Sequence, residues 1–232
     1  MTRVVKSPEI RQAELLDCAQ RLFFQNSYDD TTVNDIIREA GVSKGAFYHY
    51  FPSKEALLEA LATRLAKDSF GKLEEHLTDP SLNATERLNA LFSGSRQLKA
   101  DMAPQLRNTF DVILRPENVV LFHRIDQALT VIATPFVANI LAKGREEGVF
   151  DVQDPRGVAE MFLELRVSMA KVMHRAIQRA DQGHIEQAIE MLDERLKLYG
   201  LVVDRILKLP DGTIAVSEPG FARALLAKNL ND

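Results

Sequence analysis

The sequence predicts an all-α fold: an N-terminal three-helix helix-turn-helix domain followed by a larger helical domain. Three observations carry this. Apolar residues recur at three- and four-residue steps along nearly the whole chain, the period of a helix with one buried face. Residues that start and stop helices punctuate that pattern. Two short amphipathic segments near the N-terminus meet at Ala40-Gly41-Val42-Ser43, a join with the residue types of a helix-turn-helix.

Leu15, Leu16, Ala19, Leu22 and Phe23 mark the first helix, which Asn26 and Ser27 end. Asn26 is the residue expected to take the left-handed cap, because Asn tolerates that conformation. Thr32 with Asp35 three residues on reads as a capping box for a second helix, whose inner side is Ile36, Ile37 and Ala40. Gly41 ends it, and Val42 is the apolar plug of the turn. Ser43 caps a third helix from Lys44 to Tyr50. Pro52 and Ser53 restart the chain into a long fourth helix with Ala56, Leu57, Leu61 and Leu65 on one face.

Further helices are expected near 84–100, 103–114, 117–147, 155–181 and 184–208. Pro135 is expected to kink or split the third of these. In the tail "LPDGTIAVSEPGFARALLAKNLND", Pro210-Asp211-Gly212 signals a turn and "TIAV" has strand character. A small hairpin and a docked tail both fit. The expected divisions are 1–55, 56–210 and a tail, 211–232.

The chain has 232 residues and a formal net charge of −4. The first 65 residues carry eight Lys/Arg and nine Asp/Glu. A nucleic-acid partner therefore finds no support in total charge, and any basic surface must lie on one face. The one cysteine, Cys18, cannot form an internal disulfide and is expected to pack as a small apolar side chain. The start "MTRVVKSPEIRQ" lacks a signal-peptide core, and no apolar run approaches the roughly 18 residues that cross a bilayer. The expected setting is the cytoplasm, away from membranes.

The segment "AGVSKGAFYHYFPSKEALLEAL" gathers two lysines, a histidine and several aromatics. In a helix-turn-helix the second helix enters the DNA major groove with its N-terminal residues at the base edges. Those residues are Lys44, Gly45 and Ala46. Lys44 can donate to guanine O6 and N7, and Ala46 can touch a thymine methyl. Tyr48, His49 and Tyr50 offer donors to phosphates. Lys54 stands in the first turn of the next helix, beside free N–H groups that already favour an anion. Thr31 and Thr32 add hydroxyls at the start of the second helix. The basic arm Arg3, Lys6 and Arg11 is a solvated terminus or a minor-groove arm.

With "LLDCAQRLFFQNSYDDTTV" upstream of "TTVNDIIREAGVSKGAFYHYFPSKEALLEAL", residues 12–62 resemble the DNA-binding domain of the TetR family of transcriptional regulators. The resemblance implies an all-α homodimer whose C-terminal domain binds a small-molecule effector and dimerises. It implies a palindromic double-stranded DNA operator, released when the effector binds. Residue by residue, it puts Lys44, Gly45 and Ala46 at bases, and Thr32, Tyr48, His49 and Lys54 at phosphates, with Tyr50 between the two classes. Phe47 and Phe51 become packing residues. The family usually has Gly before the aromatic at Tyr28, whereas this chain has Ser27.

In the C-terminal part, Phe92, Phe110, Phe122, Phe136, Phe162 and Met169 are available to an apolar pocket, which suits a hydrophobic or aromatic effector. Arg115, His123, Arg124 and Arg166 could meet a carboxylate or phenol. Ile185, Ile189, Leu192, Leu196, Tyr199, Val203 and Ile206 form a stripe expected to face both its own subunit and a partner. His76, His123, His174 and His184 lack metal-ligand spacing, and no metal or cofactor motif is found. No nucleophile–base constellation suggests an enzyme. The alternative, a helical carrier or enzyme with a vestigial DNA-binding domain, has those residues against it. Repressor and activator are not separated.

Overall fold

The computed structural model describes residues 7–74, 81–101 and 109–227. Among these the structure is helical and contains no strand. The helices are α1 (Pro8–Asn26), α2 (Val33–Ala40), α3 (Lys44–Tyr50), α4 (Lys54–Glu74), α5 (Ala84–Asp101), α6 (Val119–Glu146), α7 (Pro155–Asp181), α8 (Ile185–Leu207) and α9 (Phe221–Leu226). A 3₁₀ turn, Pro116–Asn118, leads into α6. Arg3, Lys6, His76 and the first half of the helix expected over 103–114 lie outside the described residues, although 109–113 are helical.

The chain divides into two units, Met1–Lys67 with Asp111–Ala128, and Asp68–Phe110 with Leu129–Asp232. In the first, Leu15, Ala19, Phe23, Ile36, Phe47, Leu57, Leu61 and Leu121 form a core with no solvent exposure. Ser7 caps α1 by accepting from the Ile10 amide, and Pro8 stands where a missing N–H costs nothing. The cap expected of Asn26 falls instead on Ser27, which ends α1 at φ 84° and ψ 163°. That conformation suits glycine, and a Cβ is strained there. Two groups hold it. Ser27 Oγ donates to Asp30 Oδ2 at 3.0 Å and accepts from the Asp30 amide at 3.2 Å. Thr31 Oγ1 donates to the Ser27 carbonyl at 2.7 Å.

In the second unit, Leu88, Ile140, Leu141, Met173, Ala176, Ile177, Leu192, Leu196, Leu207, Leu225 and Leu226 are buried together. Asp154 caps α7 by accepting from the Gly157 amide at 3.0 Å. Gly144 is required by packing: a Cβ there would lie 2.0 Å from the Phe150 ring. Pro135 does not split α6, which runs unbroken for 28 residues.

With its leading turn, Pro116–Glu146 is long and apolar enough to cross a membrane by length and composition alone. The expectation that no apolar run reaches that length is thus corrected. Thr130, Thr134, Pro135 and Asn139 interrupt the stretch and hide it from a reading by consecutive residues. Its apolar side chains nonetheless supply protein cores: Leu121 and Ile125 in the first unit, Val137, Ile140 and Leu141 in the second.

Of the two readings of the tail, docking is the one observed. "TIAV" forms no strand. Ile214 and Val216 are buried, and α9 adds Phe221, Ala222, Leu225 and Leu226 to the second core. The stripe expected to be shared with a partner is also mostly internal. Leu192, Leu196, Tyr199 and Val203 are buried in their own chain, and the Tyr199 hydroxyl hydrogen-bonds Ser168 Oγ at 2.7 Å.

Candidate nucleic-acid interface

The interface is built by the short elements after α1. Thr32 Oγ1 accepts from the Asp35 amide at 3.2 Å, and Asp35 Oδ2 accepts from the Thr32 amide at 3.0 Å, the reciprocal box that its sequence spacing predicts. Thr32 and then Arg38 hold the Asp35 carboxyl below its usual value. The Thr32 hydroxyl also bonds Asp35 Oδ2, so a phosphate reaching this exposed group would share it with the cap.

Gly41 ends α2 at φ 61° and ψ 34°, a left-handed residue where a Cβ is unfavourable. The Gly41 and Val42 amides donate back to Arg38 and Ile37. The chain thereby turns sharply and Val42 packs against the first core. Ser43 Oγ then accepts from the Ala46 amide at 3.1 Å and starts α3. Phe47 is fully buried and fixes the rotation of α3. Phe51, on the C-cap, packs 6.2 Å from it, ring centre to ring centre. Both are the packing residues expected.

The opposite face of α3 is open. Lys44, Gly45, Tyr48 and His49 are exposed, Tyr48 by 45%. Ala46 and Tyr50 are half-buried, and Tyr50 leans on the core while its ring meets His49 at 5.0 Å. The Lys44 ammonium lies 6.0 Å from the Tyr48 ring centre. Gly45 has no internal reason to be glycine: its φ is not positive, and nothing lies within 4 Å of an added Cβ.

Lys54 is half-buried, with its ammonium 4.1 Å from the ring centre of Tyr28. Burial holds its pKa below the usual lysine value, against the opposing pull of Asp29, Glu55 and Asp30. Tyr28 is itself buried, edge-on to Phe23 at 5.1 Å. Its amide donates to Asn118 Oδ1 at 2.8 Å, and Asn118 Nδ2 donates to the Val112 carbonyl. Reading the sequence misses this use of Tyr28 and Asn118, because they stand 90 residues apart and Asn118 belongs to no motif.

Of the apolar side chains available to a pocket, Phe92, Phe110, Phe136, Phe162 and Met169 pack in the second unit's core. Phe122 belongs to the first unit.

Residues 15–61 match the family described as bacterial regulatory proteins, tetR family. The chain is 35% identical over 95 residues to the HTH-type transcriptional repressor KstR2 of Mycobacterium tuberculosis, covering 41% of this chain and 47% of the relative. The match thus spans about half the length of that curated relative. A solved tetR-family regulator of Shewanella sp. PV-4 superposes with a TM-score of 0.56 at 22% identity, over 82% of this chain and 95% of that one. FadR of Bacillus subtilis, solved with stearoyl-CoA, gives 0.53 at 19% identity, over 89% and 99%. At such identities the solved structures speak for the fold. The capped turn, the buried Phe47 and the match over α1–α4 speak for the same N-terminal domain. Residues 15–61 thus form a domain of the tetR family of bacterial regulatory proteins, and the chain shares the fold of solved regulators.

Proposed function

We propose that the protein is a dimeric DNA-binding transcriptional regulator of the cytoplasm, a repressor released from a palindromic operator by a small hydrophobic or aromatic effector. The observation that carries this is the outer face of α3. Its inner face is committed to the core through Phe47, while Lys44, Gly45, Tyr48 and His49 stand free beside one another.

In this reading Lys44, Gly45 and Ala46 approach base edges in the major groove, and Tyr48, His49, Thr32 and Lys54 contact phosphates on either side. Tyr50, half-buried, contributes its hydroxyl at the margin. A two-fold dimer places two such helices one helical turn apart, about 34–36 Å. The relative named as a repressor supports the sign of control. FadR solved with stearoyl-CoA fits a large apolar effector. The abundance of aromatic and methionine side chains in the second unit suits the same class.

The test is selection of bound fragments from the source organism's DNA by the purified protein at near-physiological salt. Recovery of a two-fold palindrome is expected. No enrichment, even after unfolding and refolding to remove any bound small molecule, would overturn the reading.

A further inference from the structure

We propose that Asn118 is a positioning residue for DNA binding: by holding the backbone of Tyr28 it fixes the aromatic platform under the Lys54 ammonium, and so the place where that charge meets a phosphate. The inference rests on the DNA-binding reading of α3 and the start of α4.

Four observations converge on it. Asn118 is 1% exposed and cannot itself touch DNA. Both ends of its amide group are used, Oδ1 by the Tyr28 amide at 2.8 Å and Nδ2 by the Val112 carbonyl at 2.9 Å. It thus ties the loop between α1 and α2 to the turn that begins α6. That loop starts at the strained Ser27, so its course depends on the bonds that hold it. Finally, the ring of Tyr28 carries Lys54 at 4.1 Å and meets the Phe23 ring edge-on at 5.1 Å.

A lysine on a flexible stem is a poor positional reader unless something confines it. Here an aromatic face does so by cation–π attraction. The face stays put only while the Tyr28 backbone does. Removing Asn118 should therefore act on DNA as a loss of Lys54 does, from a buried position.

The experiment measures the affinity of the full chain for a mixed-sequence DNA duplex across a salt series, in wild type, Asn118→Ala, Lys54→Ala and the double variant. Thermal melts confirm that each is folded. Lys54→Ala should reduce the salt slope by about one. Asn118→Ala is expected to bind about tenfold more weakly with the same loss of slope, and the double variant to lose no more than Lys54→Ala alone. An unchanged slope in Asn118→Ala, or additive losses in the double variant, would overturn the proposal while leaving the DNA-binding reading intact.

Should Asn118→Ala fail to fold, a second pair decides. Tyr28→Phe keeps the ring face and should bind as wild type, while Tyr28→Leu removes it and should match Lys54→Ala. Equal binding by those two would overturn the proposal. Failure of wild type to bind any duplex would overturn the DNA-binding reading and this inference together.

Discussion

Asp204 and Ile214 are joined by a 2.9 Å hydrogen bond from the Ile214 amide to a carboxylate with no solvent exposure. The other carboxylate oxygen accepts from the Gly212 amide at 2.7 Å. Just beyond, Asn89 on α5 takes the Ala215 amide at 2.8 Å and donates to the Thr213 carbonyl at 3.0 Å. Arg96 reaches the Ala215 carbonyl and pairs with Glu218 at 3.2 Å. Three polar side chains thus bind one irregular segment to α5 and α8 and deliver α9 to the core. Asp204→Ala would strand two amides, at a cost of about 3 kcal/mol in total. The expected result is a lowered denaturation midpoint, with protease cleavage within 210–227 preceding cleavage elsewhere. Simultaneous loss of all regions would show that the tail does not open by itself.

How far the sequence reveals such features depends on how local their cause is. The Thr32–Asp35 box, the Gly41 turn and the Ser43 cap each complete themselves within four residues, so residue type and spacing suffice. Phe47 and Phe51 are legible because the period of α3 leaves them one side. The Asn118–Tyr28 bond joins residues 90 apart, and Asn89 grips a tail more than 120 residues away. No local pattern encodes such pairs. The final helix shows a second limit. Its apolar stripe is real, but periodicity cannot say whether its own chain or a partner covers it. The positive φ of Ser27 is missed for a third reason: serine there is held by its hydroxyl and by Thr31, and the residue type alone predicts neither.

The conformation of Ser27 sets an order of stability among its variants. Glycine relieves a strain of about 1–3 kcal/mol but gives up both bonds to Asp30. Alanine gives up the same bonds and keeps the strain. Ser27→Ala is expected to lose about 1–2 kcal/mol in chemical denaturation. Ser27→Gly should equal or exceed wild type. Alanine as stable as glycine would mean that the backbone strain is relieved in another way.

Lys99 predicts a dependence of stability on pH. Its ammonium donates to the carbonyl and hydroxyl of Ser95 on its own helix. Burial first, then the charges of Arg166 and Arg96, bring its pKa from 10.5 to about 8. A depressed lysine disfavours the folded state while it is charged. Between pH 8 and 10.5 the unfolded chain holds more protons than the folded one, so this group's contribution to stability rises with pH across that window. Lys99→Met should be more stable than wild type at neutral pH, by about 2 kcal/mol, and the difference should shrink as pH climbs through the window. A gain that is constant from pH 7 to 10.5 would assign it to packing.

Because Leu196 and Val203 are buried in their own chain, a test of dimerisation belongs on another face of α8. Charges at those two positions would break the core of the second unit. Leu198, 46% exposed, lies on a separate face with Met191, Leu201 and Val202, which are half-buried. Leu198→Glu is expected to give a folded monomer by light scattering and circular dichroism, with weakened operator binding. A dimer that persists would place the interface elsewhere.

Gly45 offers a substitution whose effects on fold and on DNA should have opposite signs. Glycine inside a helix costs backbone entropy, and α3 has only seven residues over which to recover it. The site has a helical backbone and open space, so alanine meets no obstacle within the protein. Gly45→Ala should therefore stabilise the first unit by about 0.5 kcal/mol, seen as a raised melting temperature. If α3 approaches base edges at this point, the added methyl occupies the space that lets the backbone come close. The variant should then bind the selected operator more weakly by about 1–3 kcal/mol. It should bind mixed-sequence DNA with a nearly unchanged salt slope, because no phosphate contact is lost. Raised stability with unchanged operator affinity would show that the helix does not approach DNA through Gly45. Lowered stability would show that the glycine answers a constraint of the fold.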